Sequence, residues 1–273
     1  MKRKMMKKMP FKRLDMTIFT FVILCITVLI MIANVVLLFF SKKDSTKSTL
    51  VFNVLESILM FVLIFVPTMI DKIIRFKIPP SLEVMYIAFC CGSIIYGEIL
   101  DFYGKIGWWD SLLHSFSGVL LGVLGYSIIN TFNKYSNESK EIRFSPLFVS
   151  IWCVCFALAV GVLWELIEFT CDEFLGTNMQ QYMVGRGTLD KGEPLVGHAA
   201  LKDTMKDLAL DLAGSLIPAV VGFFELKRNK DGFAHSVLEK DVKKKKEILV
   251  DGLENKDIDC EEKEKSRDDV KKE

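Results

Sequence analysis

Three short stretches carry acids or a histidine at helical spacing. "WWDSLLHSFSG" (108–118) places Asp110 and His114 four residues apart. "WELIEFTCDE" (164–173) spaces Glu165, Glu168 and Asp172 by three and four, and "KDTMKDLALDLAG" (202–214) repeats Asp203, Asp207 and Asp211 every four. At about 100° per residue, each set makes one stripe on one helical face. "GEILDF" adds Glu98 and Asp101. Carboxylates gathered together raise one another's pKa unless a positive partner joins them. A divalent cation is such a partner: carboxylates with an imidazole suit Mg, Mn, Zn or Fe, and an oxygen-only subset suits Mg or Ca. Helical bundles build di-metal centres from similar spacings, and a metal-bound water is a nucleophile for hydrolysis. The candidate ligands are Asp110, His114, Glu165, Glu168, Asp207 and Asp211, with Glu168 or His198 as the base. The loop "QYMVGRGTLDKGEPLVGHAALKD" adds Arg186, which could hold a substrate phosphate or carboxylate, and His198, which could ligate metal or shuttle protons.

The elements that must position these residues are membrane spans. Of the 273 residues 51% are hydrophobic, and they fall in long blocks. Met16 to Phe40 carries no charge and exceeds the roughly 20 residues that cross a bilayer. The basic start before it suggests a signal peptide, but the apolar run is too long and no small-residue cleavage site follows. It reads as a retained first span. Five more are expected at about Leu50–Ile70, Leu82–Leu100, Trp108–Ile129, Leu147–Phe169 and Thr204–Phe224. The fold class is therefore all-α, a polytopic membrane protein with six transmembrane helices. Seven Lys or Arg precede Asp15, and three each follow spans two, four and six. The opposite loops are poorer, so both termini are expected in the cytoplasm. All the stripes then lie toward the extracytoplasmic leaflet.

An ionisable group at the centre of a spanning helix costs about 2.5–3.5 kcal/mol on insertion scales, less near the interface. Several on single faces predict a shared polar cavity. Taken singly, some have plainer readings. Asp110, Asp172 and Asp203 fit solvated helix ends, and Asp203 with Thr204 fits a helix start. His114 alone fits a satisfied core group. Trp108 and Trp109 fit the interfacial aromatic belt, and Gly118, Gly122 and Gly125 fit close helix packing. Glu56 and Glu83 have no evident partners. The seven cysteines form no CxxC pair, which argues against disulfides and a thiolate zinc site.

The chain divides into a basic cytoplasmic N-terminus (1–15), two N-terminal spans (16–81), a four-span part carrying the polar site (82–225) and a charged cytoplasmic tail (226–273). The tail mixes both signs of charge with few aromatics and cannot bury enough apolar surface to form a domain. Its "KKKK" (Lys243 to Lys246) could touch anionic lipid. No Walker loop, nucleotide fingerprint or nucleophilic serine motif occurs. Nucleic-acid binding has no support.

In "WWDSLLHSFSG", "WELIEF…D" and "DTMKDLALDLAG" the chain resembles the YjdF-like bacterial inner-membrane proteins over about residues 82 to 225. It is distantly similar to VanZ-like proteins, which share an Asp-x-x-x-His span start and are linked to glycopeptide tolerance. In the family pattern a Lys or Arg follows the aspartate, whereas here Ser111 follows Asp110. The resemblance implies a polytopic plasma-membrane protein with a shared acidic and imidazole site, and it brings no reaction. Three functions fit. One is metal-dependent hydrolysis or transfer on a lipid-linked or cell-envelope substrate, with Mg, Mn or Zn. Another is cation- or proton-coupled transport. The third is a non-catalytic envelope or antibiotic-tolerance factor.

Overall fold

The computed structural model describes residues 17–74, 76–135, 144–185, 188, 192–228 and 239–240. Eight helices and a π-helical segment account for most of them: α1 Ile18–Phe40, α2 Asp44–Ile64, α3 Val66–Ile74, α4 Pro80–Cys90, the π segment Cys91–Ile99, α5 Phe102–Lys105, α6 Trp109–Tyr135, α7 Pro146–Leu175 and α8 His198–Lys227. A two-residue antiparallel pairing of Phe76–Lys77 with Glu239–Lys240 is the sheet among the described residues. Six helices are long and apolar enough to cross a membrane: Ile18–Phe40, Asp44–Asp71, Pro80–Ile99, Trp109–Thr131, Pro146–Leu175 and His198–Lys227.

Local signals set several boundaries. The Thr17 side chain caps α1 by accepting from the Thr20 amide at 3.1 Å, and Ser145 does the same for Phe148 at the start of α7, with Pro146 in the first turn. Gly176, at φ 63°, ends α7 in the left-handed conformation. The expected ends of the last two spans need correction. α7 runs six residues beyond Phe169, and α8 starts at His198, six before Thr204. Both extensions are polar on one face, so a search for unbroken hydropathy stops short of them.

The architecture is a bundle of α6, α7 and α8, flanked by α4 with its π segment against α6. The pair α1–α2 packs on the far side of that segment. Ile23, Met60, Ile64, Ile87, Cys91 and Ile94 form the core of the outer layer. Tyr126, Ile129, Val149, Cys153 and Ala219 form that of the bundle. Cys90, Cys91 and Cys153 thus serve as small apolar core residues, Cys25 and Cys155 are exposed, and the described cysteines are free thiols. The α6–α8 seam is built on small residues. A Cβ on Gly118 would collide with the Asp211 carbonyl, one on Gly214 with that of Ser115, and one on Gly122 with the Pro218 ring. The two backbones therefore touch, as small-residue stripes allow in lipid. Pro218 cannot donate a helical hydrogen bond, and the neighbouring Ala219 carbonyl accepts from Ser150 Oγ of α7 at 2.9 Å.

Two lone acids of the sequence find places. Glu83 accepts from the Thr17 amide and hydroxyl, each at 3.3 Å, and from Thr20 Oγ1 at 2.5 Å, tying α4 to the start of α1. Glu56 faces the cavity described below.

Candidate metal centre

α6 and α8 begin, and α7 ends, at one end of the bundle, which brings the three acidic stripes to one depth. Asp110 and His114 occupy adjacent turns of α6, and His114 Nε2 stands 3.6 Å from Asp110 Oδ1. The other ring nitrogen, Nδ1, stands 3.6 Å from Asp211 Oδ2 on α8. Asp211 is 2 % exposed and accepts from Ser117 Oγ at 2.5 Å. Gly161 of α7 makes room for it, because a Cβ there would collide with the carboxylate. One turn earlier on α8, Asp207 is 1 % exposed.

Among the described residues, Asp110, His114 and Asp207 each offer one ligand atom, and these atoms lie within 4.8 Å of one another. Such a group could hold a metal ion. Buried polar atoms are almost always hydrogen-bonded, yet Asp110 Oδ2, His114 Nδ1 and Asp207 Oδ1 are buried with no hydrogen-bond partner. Both oxygens of Glu165, a residue only 5 % exposed, share that condition.

Lys206 is the residue that stripe counting misses. Its ammonium lies 2.6 Å from Asp203, 3.4 Å from Asp207 and 3.7 Å from Asp110. It is thus a built-in cation at the rim of the cluster. A lysine three residues after Asp203 and beside Asp207 was the available signal, since i,i+3 neighbours meet on a helix. Asp203 is accordingly an ion-pair partner inside α8 and not a helix start.

The remaining candidates separate. Glu168 faces the cavity and accepts from Trp164 Nε1 at 2.8 Å. Asp172 is buried and anchors the chain after α7, accepting from Thr177 Oγ1 at 2.7 Å and from the amides of Met179 and Gln180 at 2.7 and 3.0 Å. It is not a solvated helix end. Glu98 accepts from Thr188 Oγ1 at 2.6 Å, while Asp101 is exposed and pairs with Lys105 at 3.6 Å. His198 is exposed at the first residue of α8, more than two turns from Asp207. Arg186 lies outside the described residues. Of the tryptophan pair, Trp108 is exposed, but Trp109 turns inward and donates to the Gly92 carbonyl at 3.1 Å.

A cavity of about 460 Å³ opens beside the cluster. Asp110, His114, Glu168 and Asp211 line it together with Glu98 and Glu56. Tyr103, in α5, also lines it and meets Ser93 Oγ at 3.1 Å. Burial pushes its phenol above the usual range, so it stays a neutral hydrogen-bonding group.

Six spans around an acidic and imidazole cluster define a polytopic α-helical membrane protein. The chain belongs to the family described as "Predicted membrane protein (DUF2238)", whose model matches residues 22–228. The match takes in the first two spans as well as residues 82 to 225. An "Uncharacterized protein" of Thermotoga maritima is 30% identical over 152 residues, covering 55% of this chain and 66% of the relative, just under two thirds. No solved structure matches.

Proposed function

We propose that the chain is a bacterial plasma-membrane enzyme that holds a divalent cation between Asp110, His114 and Asp207. The cation would serve hydrolysis or transfer on a lipid-linked or envelope substrate reached from the extracytoplasmic side. The observation that carries this reading is the convergence of three ligand atoms within 4.8 Å of one another. Mg, Mn or Zn suits two carboxylates and an imidazole, and the bound ion would make a nucleophile of water.

This chain's own residues then take distinct roles. His114 presents Nε2 toward Asp110, and Asp211 behind Nδ1 orients the ring, as carboxylates commonly do for metal-bound histidines. Asp211 is therefore assigned to the support of the site. Glu165, buried on α7, stands in reserve as a further acid, and Glu168 in the cavity wall takes the base role. His198, exposed and remote, is not needed for it. Arg186 keeps its proposed part as a phosphate- or carboxylate-binding group. Residues 82–225 carry the site, residues 16–81 form one wall, and 1–15 and 226–273 face the cytoplasm. The sequence resemblance to YjdF-like and, distantly, VanZ-like proteins agrees with an envelope setting.

Transport is the second reading, and Glu56 favours it by placing an acid on α2 in the same cavity. A through-path needs polar groups in the cytoplasmic half of the bundle, and the cavity lining is apolar in that direction.

Metal content of the detergent-purified protein, by mass spectrometry, tests the proposal against an Asp207→Asn variant of equal folded yield. About one equivalent in the wild type, lost in the variant, is expected for a three-ligand site. No metal in either sinks the enzyme reading and leaves proton-coupled transport or a structural role.

A further inference from the structure

The cavity has a direction. On α6 its wall runs from Asp110 and His114 through Ser117 to Leu120 and Leu121, and on α7 from Glu168 to Val160. On the third span it runs from Glu98 through Ser93 to Phe89 and Tyr86, and on α2 from Glu56 to Leu59 and Leu63. All four strips change from polar to apolar in the same sense. From Asp110 to Leu121 the shaft is about 16 Å long, at 1.5 Å per helical residue.

We infer that this shaft binds the hydrocarbon chain of a membrane amphiphile, tail toward Tyr86 and Leu63, headgroup at the Asp110–His114–Glu168 end. Water finds too few partners along an apolar wall to settle there. A hydrocarbon chain leaves a solvent as apolar as itself and gains dispersion contacts with Leu63, Tyr86, Phe89, Leu120 and Leu121. Ligand sites commonly have this form, mostly apolar with a few polar groups that fix orientation. Polar groups at one end only set the direction in which the chain enters.

The inference deepens the enzyme reading by naming its substrate class, and its test is independent of metal. The full chain, in phosphatidylglycerol nanodiscs, is photolabelled with lysophosphatidylglycerol bearing a diazirine at the chain terminus. Labelled residues are mapped by peptide mass spectrometry. Adducts are expected at Tyr86 and Phe89. Leu121→Trp should lower them about tenfold, the scale of filling a packed site, and Leu63→Trp, on another helix, should do the same. Labelling at lipid-facing Leu163 and Phe169 serves as the reference for folded, inserted protein. Adducts confined to those two residues, or unchanged at Tyr86 and Phe89 in both variants, would overturn the inference. Asp207→Asn should leave the adducts in place. Labelling without metal removes the enzyme reading alone, and metal without labelling removes the inference alone.

Discussion

Gly161 on α7 and the carboxylate of Asp211 on α8 share one space: a methyl group on the glycine would stand where the carboxylate oxygen lies. That carboxylate faces His114 Nδ1 at 3.6 Å, so a glycine on α7 leaves the space for the group that stands beside the imidazole.

Gly161→Ala should therefore weaken metal binding without removing a ligand. Disturbing such a support typically costs about 10–100-fold in affinity. Titration of Mn or Zn into the purified variant checks this. Gly125→Ala meets the Phe156 side chain and the backbone at Cys153 first, and should leave affinity unchanged. Equal affinity in Gly161→Ala and wild type would show that Asp211 does not orient the ring.

Lys206 neutralises the same carboxylates that a cation would bind. Lys206→Met should destabilise the metal-free protein by about 1–2 kcal/mol, between the values for exposed and buried ion pairs. Added divalent cation should restore the loss, because a ligand that binds only the folded state stabilises it by mass action. Thermal unfolding with and without chelator reads both effects. A stability loss that no cation reverses would assign Lys206 a purely structural role.

Asp172→Asn replaces a carboxylate that accepts from one hydroxyl and two amides. Charge-assisted bonds are about twice as strong as neutral ones, and the expected loss is about 2–3 kcal/mol. Hydrogen exchange should rise at Met179 and Gln180 while the α6–α8 seam keeps its protection. Exchange raised equally in both places would mean that Asp172 supports the whole bundle.

The placement of basic residues predicts that both termini lie in the cytoplasm, and that orientation can be tested directly. Reporters that fluoresce only in the cytoplasm should be bright when fused before Met1 or after Glu273, and a single cysteine at Ser45 should react with impermeant reagents from outside. A dark reporter at either terminus reverses the orientation and moves the cluster to the cytoplasmic face.

Six apolar blocks and three stripes were legible in the sequence because bilayer length and helical period are strong constraints. Asp110, His114 and Asp207 could be put on faces, but spacing along a helix carries no information about its neighbours. Asp207 and Asp211 are alike in spacing, and only the neighbouring helix shows that Asp211 lies 3.6 Å from His114 Nδ1. Lys206 has no place in an acidic stripe, and only the fold brings its ammonium to Asp207 and Asp110 as well as Asp203. Glu83 and Glu56 looked solitary since their surroundings come from α1 and the third span, more than twenty residues away. Asp172 looked solvated because its donors belong to an irregular stretch with no period to read.

The backbone contact between Gly118 and Asp211, and between Gly214 and Ser115, has a mechanical consequence. Where two backbones meet with no side chain between them, neither helix can slide or roll by a fraction of a turn without collision. The face carrying Asp110, His114 and Asp207 is thus a fixed jaw. Opposite it, Leu59 and Leu63 of α2 and Tyr86 and Phe89 of α4 meet through long side chains that can change rotamer. Any widening of the shaft falls to that second jaw, and the three converging groups keep their spacing while it moves.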